Sequence, residues 1–342
     1  MSKEGRAEMN VVIKDIAKAA GVSPATVSNV LNGRKNVGEA TRERVLAICR
    51  EMDYQTNPYG RALKSGESKI ILFNFSDFDR QFYLKIIHGI SDYVYASHYD
   101  LIICTSGSCE RFMSKSFTSG CVMLDRSCND QLLIQKARRG YPIVAMDRVL
   151  DEPNIKSLIV NNYTPMCELV RGLADRGYRR FAFLGGLDTL DNQERYAAFR
   201  DVLKERDIPF RRESYLTGDY REKSGYQAAK LLLIGESLPQ ALVCANDNMA
   251  IGAIRALREA GVRVPEDVAV TGFDDTQMAE VLGLTTVAIP NYERGYLAAQ
   301  YLIANIRGAQ SFEPFKIQAR VVWRNTVLLN AGGEREKSIG GN

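Results

Sequence analysis

Apolar residues recur at helical spacing near the start of the chain, over residues 12–33 (VIKDIAKAAGVSPATVSNVLNG). Residues three, four and seven positions apart share one face of a helix. In the first half of this stretch those positions are Ile13, Ile16, Ala17 and Ala20. Gly21 is a residue type that ends helices in a left-handed conformation, and Ser23 and Pro24 suit the N-cap and first position of the next helix. The pattern predicts two short helices joined by a turn.

A third amphipathic helix is predicted for residues 39–52, so that three helices enclose one small core. The apolar positions of the second and third helices are Val27, Val30, Leu31, Val45, Leu46, Cys49 and Met52. Two short helices joined by a glycine-containing turn form a helix-turn-helix, whose second helix enters the major groove of DNA. Its outward positions hold only short, uncharged residues, which permits close approach to bases: Pro24, Ala25, Ser28 and Asn29. A small helical bundle without DNA binding is the alternative interpretation.

Beyond Ser68 the pattern changes to short β-rich runs that alternate with helical ones. The β-rich runs are KIILFNF, DLIICT, CVMLD and YPIVAM in a first set, and FAFLGG, YLTGDY, ALVCAND and VAVTGF in a second. Such alternation predicts parallel sheets covered by helices on both faces, here in two α/β lobes. Between DLIICT and CVMLD the segment SGSCERFMSKSFTSG leaves little room for a full helix, so we expect a truncated element there.

Polar and aromatic residues follow many of these strands, at the edge where open α/β sheets bind ligands. Amide and charged groups can form bidentate hydrogen bonds to hydroxyls, and aromatic faces can cover the C–H surface of a sugar ring. Asp147 and Arg148, for example, both follow YPIVAM. The predicted effector-binding residues are Phe82, Tyr83, Arg148, Asp191, Arg195, Tyr220, Asn246 and Asp274. Each has an alternative role in helix capping, packing or a solvated face.

Charge, cysteine spacing and the motifs that are not found reduce the number of possible function classes. Lysine and arginine number 11 against 8 aspartate and glutamate over residues 1–67, so most of the net charge of +4 lies in the N-terminal fifth, which favours nucleic acid weakly. The seven cysteines are scattered without a C-x-x-C pair, which argues against a disulfide framework or a metal site. We find no signal peptide, no membrane-spanning run and no catalytic motif, and only two histidines. We therefore expect a cytoplasmic protein that is not an enzyme and needs no cofactor.

Three segments, VVIKDIAKAAGVSPATVSNVLNG, TRERVLAICREMDY and NPYGRALKSG, resemble the DNA-binding region of LacI/GalR (lactose-repressor) regulators in order and spacing. The resemblance implies that Pro24, Ala25 and Asn29 read bases, while Ser23, Thr26 and Ser28 lie near phosphates. It also implies a hinge that becomes helical on DNA. The implied hinge contacts are Tyr59, Gly60 and Leu63, with Leu63 wedged into the minor groove. Gly60 replaces a common hinge alanine and lowers helix propensity by about 1 kcal/mol.

AGVRVPEDVAVTGFDD, LTTVAIP and WRNT extend the resemblance to the effector-binding part of that family, which has a periplasmic-binding-protein-like fold. The implied layout is a helix-turn-helix domain (1–56), a hinge (57–67) and an effector domain (68–336). Lobe 1 then covers about 68–162 and 291–325, and lobe 2 about 163–290 and 326–336.

The family resemblance implies a homodimeric repressor of carbohydrate-utilisation genes. Its partners would be double-stranded DNA with an inverted-repeat operator and a small sugar or sugar derivative as effector, without a membrane partner. Control by a protein partner, and a sugar-binding protein without regulatory role, remain alternatives. An export signal is absent from the sequence, which disfavours the second alternative.

Overall fold

The computed structural model describes residues 11–31, 33–34, 36–54, 68–76, 82–235, 237–309 and 316–329. The chain divides into two compact units, residues 1–68 and residues 69–342. None of the helices in the described ranges combines the length and the apolar character required to cross a bilayer.

Three helices form the first unit. They are α1 (Ile13–Ala20), α2 (Pro24–Leu31) and α3 (Glu39–Glu51). Gly21 ends α1 with a φ of 63°, a conformation that costs a residue with a side chain more than it costs glycine. The Ser23 hydroxyl accepts a 3.1 Å hydrogen bond from the Thr26 amide and so satisfies a free N–H group at the start of α2.

The core of this unit contains Ile16, Ala17, Ala20, Val27, Val30, Val45 and Cys49. It therefore matches the predicted apolar faces with one exception. Leu46 is 40% exposed, and Ile48 packs against the core in its place. The prediction for Leu46 was wrong because this residue lies on the solvent side of α3, whereas Ile48, two residues later, packs against the core.

Lobe 1 of the second unit is a parallel sheet with helices on both faces. Its strands, β1 (Ile70–Phe75), β2 (Asp100–Thr105), β3 (Gly120–Leu124), β4 (Ile143–Ala145) and β5 (Ile155–Ser157), are ordered β2-β1-β3-β4-β5. The main helices of its sequence segment are α4 (Phe82–Ala96) and α5 (Asp130–Arg138). The predicted truncation is present: a 3₁₀ helix, Ser106–Arg111, links β2 to β3 where an α-helix would complete the alternation.

Lobe 2 repeats the arrangement with a four-stranded parallel sheet. Its strands, β7 (Phe181–Gly185), β8 (Tyr215–Thr217), β9 (Ala241–Cys244) and β10 (Ala269–Thr271), are ordered β10-β9-β7-β8. Its helices are α6 (Tyr163–Asp175), α7 (Leu190–Glu205), α8 (Glu222–Ile234), α9 (Asp247–Glu259) and the short α10 (Gln277–Val281). In both sheets the strand order reverses beside the first strand of the lobe, which is where such sheets open a crevice for ligands.

Short strands carry the chain between the lobes. The parallel pair is β6 (Ile159–Val160) with β12 (Lys316–Ile317), and the antiparallel pair is β11 (Thr286–Ala288) with β13 (Arg320–Val322). Ile317 belongs to the core of lobe 1, whereas Ala319, Val321 and Trp323 pack against the core of lobe 2. The last crossing thus precedes residue 319, a few residues earlier than the sequence suggested.

Helix α11 (Asn291–Ile306) returns to lobe 1 and packs closely on α4. Two glycines allow this approach, because an added Cβ at Gly89 would lie 2.0 Å from the Tyr292 carbonyl oxygen and one at Gly295 would lie 2.1 Å from that of Ile86. The packing fixes the first turn of α11 beside the carboxyl ends of the lobe 1 strands.

Candidate functional site

A cavity of about 280 Å³ lies at the carboxyl ends of the strands of both lobes. Lobe 1 contributes residues that follow β1, β3 and β4, and lobe 2 contributes residues that follow β7, β8, β9 and β10. Seven of the eight predicted effector residues line it: Phe82, Tyr83, Asp191, Arg195, Tyr220, Asn246 and Asp274. The carboxyl ends of the strands therefore bring together residues that are far apart in sequence.

Aromatic rings form part of the wall on each side. The Phe82 and Tyr83 rings are 4.3 Å apart, and the Tyr83 hydroxyl is hydrogen-bonded to the Ser76 hydroxyl at 2.8 Å. On the lobe 2 side the Tyr220 hydroxyl is hydrogen-bonded to the Thr189 hydroxyl at 3.0 Å. These bonds fix rings whose faces can cover the C–H surface of a small ligand.

Arg195 is a buried guanidinium held by three of its nitrogens. Its Nε and Nη2 donate to the Asn162 side-chain oxygen at 3.0 and 2.9 Å, and its Nη1 donates to the Ala245 carbonyl at 2.5 Å. The guanidinium carbon lies 3.8 Å from the centre of the Phe273 ring. Arg195 thus links the first crossover to the end of β9 and is preorganised at the cavity wall.

The two amide side chains beside Arg195 also have structural roles. Asn162 donates to Asp191 at 3.0 Å and so orients one carboxylate of the wall. Asn246 caps helix α9 by accepting from the Met249 amide at 3.0 Å and donates to the Tyr220 carbonyl at 3.0 Å. Asn246 therefore both caps a helix and lines the cavity.

Two residues of the wall have strained backbones. Tyr220 has a φ of 70° and Asp274 a φ of 116°, values that residues with a side chain rarely adopt. An added Cβ at Gly186 would lie 2.2 Å from the Tyr220 ring, so only glycine leaves room for that ring. Such strain persists where the surrounding fold imposes it, and it concentrates at ligand sites.

Asp247 follows the cavity residue Asn246 in the chain and is completely buried. Burial, followed by the negative charge of Asp274, raises the pKa of its carboxyl to about 8. Its oxygens accept from the Thr276 amide at 2.7 Å and the Thr286 hydroxyl at 2.6 Å, bonds that lower the pKa only in part. Burial therefore favours the protonated form of Asp247, whose hydrogen bonds to Thr276 and Thr286 support the fold of lobe 2.

Arg148 is the predicted effector residue that does not line this cavity. Its Nη1 donates to Asp130 and to the Cys128 carbonyl, its Nη2 to Asp147 and the Asp125 carbonyl, and its Nε to Asp147. All five N–H donors therefore have protein acceptors. Hydrogen bonds to Asp130 and to the Cys128 and Asp125 carbonyls hold the Arg148 side chain within lobe 1, outside the cavity lining, so this geometry does not support its predicted contact with an effector. The neighbouring Asp147 faces the cavity, and Arg148 holds it in place.

Several cavity residues were missed from the sequence: Asp125, Arg126, Asn162, Thr189, Arg221 and Arg294. Asp125 and Arg126 follow β3, so the rule that identified Tyr83 and Asn246 applies to them equally. Asn162 lies at a crossover and Arg294 inside a helix. Asn162 and Arg294 could not be predicted from their position after a strand, because only the packing of the lobes places them at the cavity.

In the helical unit, the predicted DNA-contacting residues cluster at the start of α2. Ser23, Pro24 and Ala25 are exposed, whereas Thr26, Ser28 and Asn29 are partly exposed. The Ser23 and Thr26 hydroxyls are hydrogen-bonded to each other at 2.9 Å. Tyr59, Gly60 and Leu63, the predicted hinge contacts, lie outside the described residues.

Known proteins resemble this chain over nearly its whole length. Residues 12–57 match the model for bacterial regulatory proteins of the lacI family, and residues 170–327 match the periplasmic binding protein-like domain. The HTH-type transcriptional repressor PurR of Aliivibrio fischeri (strain MJ11) is 32% identical over 92% of this chain and 98% of its own.

Two solved structures are also similar. A lac repressor dimer bound to operator and the anti-inducer ONPF has a TM-score of 0.80 and 26% identity, with coverage of 94% of this chain and 100% of the other. A complex of the transcriptional regulator CelR with cellobiose has a TM-score of 0.68 and 27% identity, with coverage of 92% and 99%.

These relatives are transcriptional regulators and not enzymes, in agreement with the sequence. They act on bacterial DNA, so the predicted cytoplasmic location is confirmed as well. The interpretation as a binding protein without regulatory role does not account for the match over residues 12–57. With a helix-turn-helix unit and a two-lobed cavity in one chain, this protein belongs to the LacI family of DNA-binding transcriptional regulators.

Proposed function

We propose that this protein is a homodimeric repressor of carbohydrate-utilisation genes, whose affinity for an inverted-repeat operator is set by a small sugar-like effector. The observation that carries the proposal is the composition of the cavity. Aromatic faces on both sides accompany buried polar groups such as Arg195 and Asn246. That combination suits a polyol, which offers many hydroxyls and an apolar C–H surface.

Similar proteins of known structure also support a sugar-like ligand. The similar CelR structure holds cellobiose, a sugar, and the similar lac repressor structure holds operator and an anti-inducer together. We propose the seven lining residues named above as the effector contacts. Arg148 is not among them, because its donors are all engaged within lobe 1.

On the DNA side we propose that Pro24, Ala25 and Asn29 read base edges, with Ser23, Thr26 and Ser28 at phosphates. Their position at the start of α2 suits a recognition helix, whose N-terminal residues contact base edges in the major groove. Tyr59, Gly60 and Leu63 remain proposed hinge contacts. The similar lac repressor is a dimer on its operator, and a two-fold dimer matches an inverted repeat.

The regulatory step follows from linkage. An effector changes operator affinity only through its different affinity for the DNA-bound and free states, and operator changes effector affinity by the same factor. Because the cavity wall comes from both lobes, a ligand that contacts both favours one relative position of the lobes. We propose that this position determines whether the two hinges of the dimer can order on DNA.

The test is a gel-shift titration of the purified chain on DNA from its own upstream region. A panel of neutral sugars, sugar acids and sugar phosphates is added at fixed protein concentration. We expect a specific shift that at least one compound alters. An unaltered specific shift across the panel would contradict the small-molecule effector and favour control by a protein partner. Absence of any specific shift from folded protein would contradict the DNA-binding assignment.

A further inference from the structure

Arg294 lies in the first turn of α11 and reaches the cavity from lobe 1. Its side chain is almost completely buried, with 6% of the residue exposed. Nη2 donates to the Met146 carbonyl at 2.5 Å, whereas Nε is buried without a hydrogen-bond partner. Most of its N–H donors are therefore not matched by acceptors of the described residues.

The other buried arginines near the cavity are compensated. Arg148 uses every donor on protein oxygens, with two carboxylates among its acceptors. Arg195 is held through three nitrogens and stacks on Phe273. Arg294 differs from both because, among the described residues, it has no carboxylate partner in an ion pair and its only hydrogen-bond acceptor is the Met146 carbonyl.

Three carboxylates of the wall, Asp125, Asp147 and Asp191, accept hydrogen bonds from other residues. Asp147 accepts two bonds from Arg148, Asp191 accepts from Asn162, and Asp125 accepts from Ser127 at 2.7 and 2.9 Å. Within the described ranges no carboxylate oxygen comes within 4.0 Å of the Arg294 guanidinium. Burial lowers the pKa of Arg294, and the more distant charges of Asp191, Asp147 and Asp274 oppose that shift.

An arginine keeps its charge in proteins, so a buried and unpaired one is unfavourable. The start of a helix adds positive potential at the same place. A bound anion would relieve both, because a carboxylate or phosphate can accept two parallel hydrogen bonds from one guanidinium. A negatively charged group would therefore bind favourably at the lobe 1 wall of the cavity, next to Arg294.

We propose that the effector is a sugar-like anion, whose carboxylate or phosphate binds Arg294 while its hydroxyls and ring contact Asp191, Arg195 and Tyr220. The inference rests on the proposed function and specifies its ligand class. The cavity volume of about 280 Å³ fits a ligand of monosaccharide size. Arg294 is then the residue that selects charged over neutral sugars.

Calorimetric titration of the full chain tests this with matched sets of glucose, glucuronate and glucose phosphate, and the same sets for galactose and mannose. We expect an acid or a phosphate to bind at least about 10-fold more tightly than its neutral parent, as for hydrogen bonds to a charged group. Comparison of the sugar acids with the sugar phosphates shows whether the site prefers a carboxylate or a phosphate. Arg294→Met should lower the affinity for that anion by about 10- to 100-fold and leave any binding of the neutral parent unchanged.

Thermal unfolding without ligand gives a second measurement that needs no identified effector. Arg294→Met removes an uncompensated buried charge, so the melting temperature should rise by a few degrees. The matched control is Arg148→Met, which breaks a compensated cluster and should lower it. If Arg294→Met lowers the melting temperature as much as the control does, Arg294 stabilises the fold and the proposal is overturned.

The outcomes separate this inference from the proposed function. Equal or tighter binding of a neutral sugar that alters the operator shift would refute the anion while leaving the regulator intact. Failure of every acid and phosphate to bind at millimolar concentration would refute the anion as well. Loss of a specific operator shift would instead contradict the proposed function itself.

Discussion

The carboxyl group of Asp247 accepts a 2.6 Å hydrogen bond from the Thr286 hydroxyl. This bond ties the start of α9 to the crossover strand β11. Its second oxygen accepts from the Thr276 amide at 2.7 Å, so Asp247 joins three segments of lobe 2 at one buried point.

This arrangement predicts a pH dependence of stability. Burial and the charge of Asp274 raise the pKa of Asp247 from 3.8 to about 8 in the folded chain. A raised pKa contributes stability that is full below the unfolded pKa and is lost as pH rises through the folded pKa. We therefore expect the free energy of unfolding to fall by up to about 1.4 kcal/mol per pH unit between about pH 4 and pH 8, the value for one proton.

Asp247→Asn provides the comparison, because its amide can accept from Thr276 and donate to Thr286. We expect this pH dependence to disappear in the variant. Urea unfolding can be followed through the single tryptophan, Trp323, which packs against the core of lobe 2. Parallel pH profiles of the two proteins would show that Asp247 is ionised in the folded state.

Arg195→Met should uncouple effector from operator. The variant loses the bonds to Asn162 and Ala245 and the stack on Phe273, so the cavity wall loses its preorganised donor. We expect effector affinity to fall by about 10-fold or more, while operator affinity without effector stays within about 3-fold. Gel shifts with and without the identified effector measure both.

The matched control for that variant is Arg200→Met on the same helix. Arg200 is exposed and donates to the Tyr196 hydroxyl at 3.2 Å. Its replacement should leave the effector response unchanged. Equal losses in both variants would mean that the effect comes from helix α7 as a whole and not from the cavity.

Gly295→Ala should destabilise the effector unit. The new Cβ would lie 2.1 Å from the Ile86 carbonyl oxygen, so α11 and α4 must separate. Overpacking of this kind costs about 1–3 kcal/mol. Circular dichroism melting can measure the loss.

Gly107→Ala is the control for Gly295→Ala, since no atom lies within 4 Å of its added Cβ and its φ is not positive. It should change stability by less than about 0.5 kcal/mol. Retention of full stability by Gly295→Ala would mean that the two helices do not require the close contact.

Asn29→Ala should relax operator specificity. If Asn29 reads a base edge, its loss costs about 1–3 kcal/mol at the matching base and little at a changed one. Ser28→Ala, at a predicted phosphate contact, should weaken binding by a similar factor on every DNA sequence. Gel shifts on the operator and on single-base variants distinguish the two patterns, and identical patterns would contradict the assignment of Asn29.

Local sequence determined much of this protein. The capping of α2 by Ser23, the left-handed stop at Gly21 and the apolar spacing of Ile16 and Val27 act within a few residues, so the helices could be predicted from the chain alone. Strand ends were also predictable, because parallel strands bring their carboxyl ends to one edge. That regularity placed Tyr83, Asn246 and Asp274 around one cavity.

Tertiary structure alone decided which polar side chains face the cavity and which remain without partners. Asp147 and Arg148 are neighbours in sequence with opposite roles, because the direction of each side chain depends on Asp130 and Asp125 from distant segments. Arg294 reaches the cavity only because α11 crosses back to lobe 1 and packs on α4 through Gly89 and Gly295. Charge compensation depends on distances between segments, and those distances are fixed by the packing of the whole fold.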